Sequence, residues 1–249
     1  KLATALVSAA AIMTMSTTAF AAENPAEVFD RVMEKNNTIQ SAEIQSGVHS
    51  VILAKDVIPD GQMKVDMAMH AEMDMQDTTD LKYLAQVASS ILGQDSYSQV
   101  FYTDGYYYVD ANGVKLKYPM PLEQIISSVQ TGVNTSNMES SYMKGISLNE
   151  VNGKRVLAYE ANPKKLNKNV KEALGTVMNT LGTDVNLDMN IQEMKGAYVL
   201  DDNDYIIYMT NYIVYNMEVL DQPMTCITLM ETEVQNPGEP VVVTLPSTD

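Results

Sequence analysis

One cysteine, Cys226, and no tryptophan occur in 249 residues. No disulfide can close within such a chain, so the fold must rest on burial of its own core. Cations are scarce as well: 16 Lys and Arg stand against 32 Asp and Glu, a formal charge of −16. Nucleic acid and anionic lipid surfaces both call for clustered Lys and Arg, so neither is an expected partner. Histidine is reduced to His49 and His70. No G-x-S-x-G elbow and no glycine-rich phosphate loop occurs, so the chain is expected not to be an enzyme and to need no cofactor. Acids are plentiful, which keeps a hydrolase built on paired carboxylates as an alternative.

What is present begins with an address. Lys1 precedes an apolar run from Leu2 through Met15, and small and polar residues follow as far as Ala19-Phe20-Ala21. That order reads as a secretory signal peptide over 1–21 with an A-x-A cleavage site, leaving 22–249 as a single domain. No later segment offers the ~18 apolar residues of a membrane span. The only cysteine is far from the cleavage site, so the expectation is a secreted or extracytoplasmic envelope protein without a lipid anchor, and a monomer.

Asn24-Pro25-Ala26-Glu27 has the form of a helix start, with an N-cap, a proline in the first turn and an acid three residues on. Val28, Phe29, Val32 and Met33 continue it as an apolar stripe. Ser41 to Ala54 reads as a strand, and Met63 to Met75 alternates so that Met63, Val65, Met67, Met69, Ala71, Met73 and Met75 share one side. The spacing of Leu81, Leu84, Val87, Ala88, Ile91 and Leu92 predicts a helix closed by Gly93. Asp104-Gly105 and Asn112-Gly113 are hairpin turns joining three strands between Val100 and Tyr118. Pro121 to Gln130, with Ile125 and Val129, reads as a second covering helix. Tyr142 to Val151 and Lys154 to Ala161 form a hairpin about Asn152-Gly153, and Asn162-Pro163 opens a longer helix ended by Gly182. The remainder is strand: Val185 to Ile191, Tyr205 to Leu220, Met224 to Gln235, and an edge strand Pro240 to Pro246. The sum is an α+β fold: a large curved antiparallel sheet of about eleven strands, an unclosed half-barrel, with helices covering the concave face.

This order of elements resembles the LolA, LppX and RseB group of cell-envelope proteins. The segment Phe101-Tyr102-Thr103-Asp104-Gly105-Tyr106-Tyr107-Tyr108-Val109-Asp110 with Gly113 and Lys115, and the terminal Val243-Thr244-Leu245-Pro246, is similar to an uncharacterised family of secreted proteins and lipoproteins of Gram-positive bacteria. The resemblance implies carriage or sensing of lipids or lipid-modified proteins. Unlike the lipoprotein members, this chain has no anchoring cysteine.

The candidate ligand-binding residues are Met63, Val65, Met67, Met69, Met73 and Met75 on the strand, with Leu84, Ile91, Ile125 and Val129 on the predicted helices. Unbranched thioether chains repack around varied shapes, which suits an acyl chain or lipid between sheet and helices. The same stripe also serves as an ordinary core face, and the domain is then an interaction or sensor module meeting an envelope protein partner. Met67 to Met75 also has the composition of a Met/His copper tract, but alternation sends His70 to the side opposite the methionines, so no metal site is assigned there. Tyr102, Tyr106, Tyr107, Tyr108 and Tyr118 are read as cross-strand packing.

Overall fold

The computed structural model describes residues 23–54, 58–77, 81–122, 138–168, 189–219 and 222–248. One helix, α1 (Pro25–Asn36), precedes eleven strands: β1 (Ser41–Leu53), β2 (Gln62–Asp74), β3 (Lys82–Ile91), β4 (Gln94–Thr103), β5 (Tyr106–Ala111), β6 (Val114–Pro119), β7 (Met143–Val151), β8 (Lys154–Ala161), β9 (Met189–Leu200), β10 (Ile206–Val219) and β11 (Gln222–Gln235). Residues 163–168 are also helical. The strands make a single curved, unclosed sheet in the order β6-β5-β4-β3-β2-β1-β11-β10-β9-β8-β7. Every described pairing is antiparallel. Two meanders therefore meet at β1 and β11, and the chain passes from one sheet edge, β6, to the other, β7.

The predicted helix over Leu81 to Leu92 is instead strand β3. Its apolar positions fit a helical period, yet β2 and β4 claim its backbone from both sides, with Val87 opposite Met69 and Ser98. Tertiary pairing overrides a local preference of this kind. The hidden signal is a turn at Leu92-Gly93, where both residues have positive φ, 54° and 76°. Leucine is uncommon in that region. Pro240 to Pro246 is no edge strand: the sheet edges are β6 and β7, and the tail crosses the ends of β1 and β2 instead. There Gly238 N donates to Ser41 O at 2.8 Å, Gln76 Nε2 donates to Gly238 O at 3.0 Å, and Thr244 N donates to Glu72 Oε2 at 2.9 Å. Gln222 and Pro223 belong to β11, with Pro223 paired to Glu218. The expected helix beyond Leu122, the longer helix beyond residue 168, and Val185 and Leu187 lie outside the described residues, as does the 1–21 leader.

Helix α1 forms where the sequence predicts. Asn24 Oδ1 accepts from Ala26 N at 3.1 Å, and Val28, Phe29, Val32 and Met33 are buried. Phe29 meets Tyr159 edge-on at 5.8 Å and Tyr198 at 6.1 Å. Asn36 fastens the helix end to the β9–β10 turn, accepting from Ile206 N at 2.9 Å and donating to Asp204 O at 3.0 Å. Asp204 also takes Arg31 at 2.9 Å and Arg155. Burial alone would raise its carboxyl, but the hydrogen bonds from both guanidinium groups outweigh this and hold it below the usual carboxylate range.

Beneath α1 the Tyr159 hydroxyl donates to Asn211 Oδ1, and the Tyr159 and Tyr198 hydroxyls are hydrogen-bonded. The room is made by Gly196, where a Cβ would lie 2.5 Å from Thr210 O and 2.5 Å from Asn211 Oδ1. Gly196→Ala should therefore cost about 3 kcal/mol, the upper range for overpacking. Urea unfolding that finds under about 0.5 kcal/mol would refute this close approach. Burial also pushes the Tyr198 phenol up to about 12. The unfolded phenol ionises near pH ~10, so the stability from keeping it neutral is full below that pH and is lost as pH rises towards 12. Unfolding midpoints should fall between pH 9 and pH 11 (about those values) in the wild type, and less steeply in Tyr198→Phe.

Candidate apolar ligand site

Alternation and register assign every strand residue to one of two faces. On the face that α1 covers, the rows read across strands as Ala42, Met73, Tyr83, Tyr102, Tyr107, Tyr118; then Ile44, Ala71, Ala85, Val100, Val109, Leu116; then Thr232, Ser46, Met69, Val87, Ser98. A further row runs Asn211, Met230, Val48, Met67, Ser89, and the next Ile213, Thr228, Ser50, Val65, Ile91. The opposite face carries Glu43, His49, Lys64, Asp66, His70 and Glu72. The first side is thus the more apolar, and the second carries most of the charged residues together with a buried Leu84 and Phe101.

Three plugs fill parts of the apolar face. Under α1, Phe29 and Val32 pack with Leu148, Leu157, Tyr198, Leu200 and Ile206. At the β1–β4 end, Met73, Met75, Leu81 and Tyr102 are buried with Met120 and Leu122 against them, and Tyr102 OH donates to Met120 O at 3.2 Å. Below α1, Leu166 joins Ala161 and Ile191. Between the plugs the face is less covered: Met67 is 38% exposed, Met69 37% and Ile91 43%. Val48, Val65, Val87 and Met230 beside them are half-buried. Hydroxyls in this area satisfy one another, with Ser46 to Thr232 at 2.8 Å, Ser50 to Thr228 at 2.9 Å and Ser89 to Ser96 at 2.7 Å. Paired in this way they present less unmet polarity to an apolar neighbour.

The structure splits the sequence-derived candidates. Met67 and Met69 lie in this less covered region, and Met63, Val65 and Ile91 continue it to the strand ends at the β3–β4 turn. Met73 and Met75 lie on the same side but are buried in a plug. Leu84 is a correction: with β3 a strand and not a helix, its side chain falls on the opposite face, where it is 4% exposed, in a row with Glu72 and Phe101. Ile125 and Val129 lie outside the described residues. Val48, Val87 and Met230 were not singled out by sequence reasoning. Val48 reaches Met67 through the β1–β2 pairing and Val87 reaches Met69 through β2–β3, while Met230 is brought to Val48 only by the register of β1 with β11, a pairing between distant segments.

The charged face carries its own contacts. Glu43 and Glu72 are direct cross-strand partners, a like-charge pair that would repel. His70 Nε2 lies 3.2 Å from Glu43 and 3.8 Å from Glu72, and the Thr244 amide also serves Glu72. His70 thus gives Glu43 a hydrogen-bond partner and the Thr244 amide gives Glu72 one. His49 Nδ1 sits 2.7 Å from Asp66. Phe101 stacks on Tyr108 at 4.6 Å, and Lys117 lies over Tyr106 at 4.1 Å. The terminal segment and the tyrosine-rich hairpin, distant in sequence, converge on the row Glu72, Leu84, Phe101. A small cleft of about 250 Å³ between Asp74, Asp77, Lys82 and Val241, Val242 and Val243 lies on this side too. Its charged lining does not suit an acyl chain. Among the described residues no cluster of three or more His, Cys, Asp or Glu could hold a metal, and no helix is long and apolar enough to cross a membrane.

Comparison with known proteins adds a family. Residues 24–246 match the model of a family of unknown function, DUF6612. No curated protein matches the chain. Among solved structures, LprF from Mycobacterium bovis aligns over 90% of this chain and 97% of its own, at 10% identity and a TM-score of 0.38. The lipoprotein LppX of Mycobacterium tuberculosis aligns over 89% and 100%, at 10% identity and 0.37. A beta-barrel-like protein of the domain of unknown function DUF1849 from Brucella abortus aligns over 78% and 98%, at 11% and 0.26. Superpositions this loose transfer no ligand to this chain.

Proposed function

The chain belongs to the DUF6612 family, whose function is unknown, and from its own geometry we propose that it binds an apolar ligand, a lipid or an acylated molecule, without catalysis. One observation supports this reading above the others: the less covered part of the apolar face, about Met67, Met69 and Ile91, stays more than a third exposed while the parts under α1 and about Met73 are plugged. An ordinary core would bury these side chains, since apolar area left in water forgoes about 25 cal/mol per Å². Methionine suits such a surface because three rotatable bonds let it fit chains of different shape.

Magnitudes set the expected affinity. Ten methylenes leaving water contribute ~8 kcal/mol at ~0.8 each. Association offsets several kcal/mol of that. A Kd weaker than micromolar, towards about 1 mM for ten methylenes alone, follows. The same reading has the domain act outside the cytoplasm after loss of 1–21. N-terminal sequencing of exported protein should then start near Ala22, and a retained Lys1 would count against it.

Titration with a fluorescent fatty acid tests the site. Saturable binding is expected, with Met67→Glu/Met69→Glu weakening it at least tenfold (about 1.4 kcal/mol) at an unchanged melting temperature. Lys64→Ala, on the charged face, should leave it alone. No binding, or binding indifferent to the double substitution, would remove the proposal.

A further inference from the structure

A different group of sulfurs lies at one corner of the apolar face. Met217 on β10 pairs directly with Met224 on β11 and with Met189 on β9. All three therefore share one row and one side, with Met217 in the middle and each flanking methionine starting about 5 Å from it. Cys226, two residues along β11 from Met224, points to the same side and places its Sγ 3.7 Å from Met217 Sδ. The methionines are half-buried while Cys226 is buried. The row stands near the ends of β9, β10 and β11.

We propose that Met189, Met217, Met224 and Cys226 form a binding site for a soft monovalent cation, Cu(I) or its surrogate Ag(I). The donor set is three thioethers and one thiol, which selects Cu(I) over the hard and borderline divalent ions that want oxygen or imidazole. The Cys226–Met217 distance fits: an ion with metal–sulfur bonds of about 2.3 Å in a tetrahedral site holds its sulfurs about 3.8 Å apart. Thioethers bind without losing a proton. Cys226 releases its thiol proton to solvent as the metal–sulfur bond forms, and copper keeps its oxidation state throughout. The site is separate from the Met67 to Met75 tract, whose histidine faces away from its methionines. It also does not rest on the apolar-ligand reading.

The test is anaerobic titration of the full chain with Cu(I) in competition with bicinchoninate. One Cu(I) per chain is expected. Met217→Leu, which conserves volume and keeps the fold, should weaken binding at least tenfold, and Cys226→Ser should do the same. Met120→Leu, in a plug at the far end of the sheet, should bind as the wild type does. Failure to take Cu(I) from the competitor overturns the proposal, and so does a Met217→Leu protein that binds as tightly as the wild type or a Met120→Leu protein that is weakened equally.

Discussion

The antiparallel pairing of β1 with β11 is the constraint on which the rest depends. It joins two meanders from opposite ends of the chain, from Glu43 opposite Gln235 to Leu53 opposite Thr225. Side chains alternate with a period of two, so a slip of one residue here would turn every apolar position of one half towards the charged face of the other. In the observed register Val48 has Met67 on one side and Met230 on the other. The apolar face is therefore continuous across the seam, although no segment of the sequence contains it. Such a pairing joins residues far apart in the chain and forms against a large loop-closure entropy. The packing of α1 over the β7–β10 part of that face is one of the contacts that offset it.

The functional reading follows from how unevenly this face is filled. Phe29 on its tyrosine platform and Met73 with Tyr102 are packed as interiors are, and close approach at Gly196 shows how little slack the first plug has. Met67 and Met69 belong to the same face and the same strand as Met73, yet they remain open to solvent. Hydroxyls among them are satisfied by each other across strands, so the surface has little demand for water. The charged face instead spends its polar groups on itself, through His70 between Glu43 and Glu72 and His49 beside Asp66.

Much of this was legible in the sequence where the signal was local. The N-cap and stripe of α1, the alternation of β2, the Asp-Gly and Asn-Gly turns and the Asn152-Gly153 hairpin are short-range patterns, and each stands where it was read. The α+β class and the curved open sheet followed from counting them. The count of about eleven strands agrees with the sheet, but with a different membership: β3 was read as helix, and the Pro240 to Pro246 segment as strand. Ala85, Ala88, Ser89 and Ser90 carry little β preference, and Leu92 hides a turn that glycine or asparagine would have announced. The site was half legible. The methionine stripe names one strand of the face, while Val87 was hidden by the helical reading of β3 and Met230 is set by long-range register. Leu84 was lost to the wrong face through the same misreading of β3.

Photolabelling with a diazirine-bearing fatty acid, followed by peptide mapping, bears most directly on the claim that the open apolar face is where a ligand sits. The account predicts adducts on β2 about Met67 and Met69, with further adducts on the flanking β1 and β11 peptides about Val48 and Met230. Labelling confined to the charged face, about His49, Lys64 or Tyr97, would contradict it.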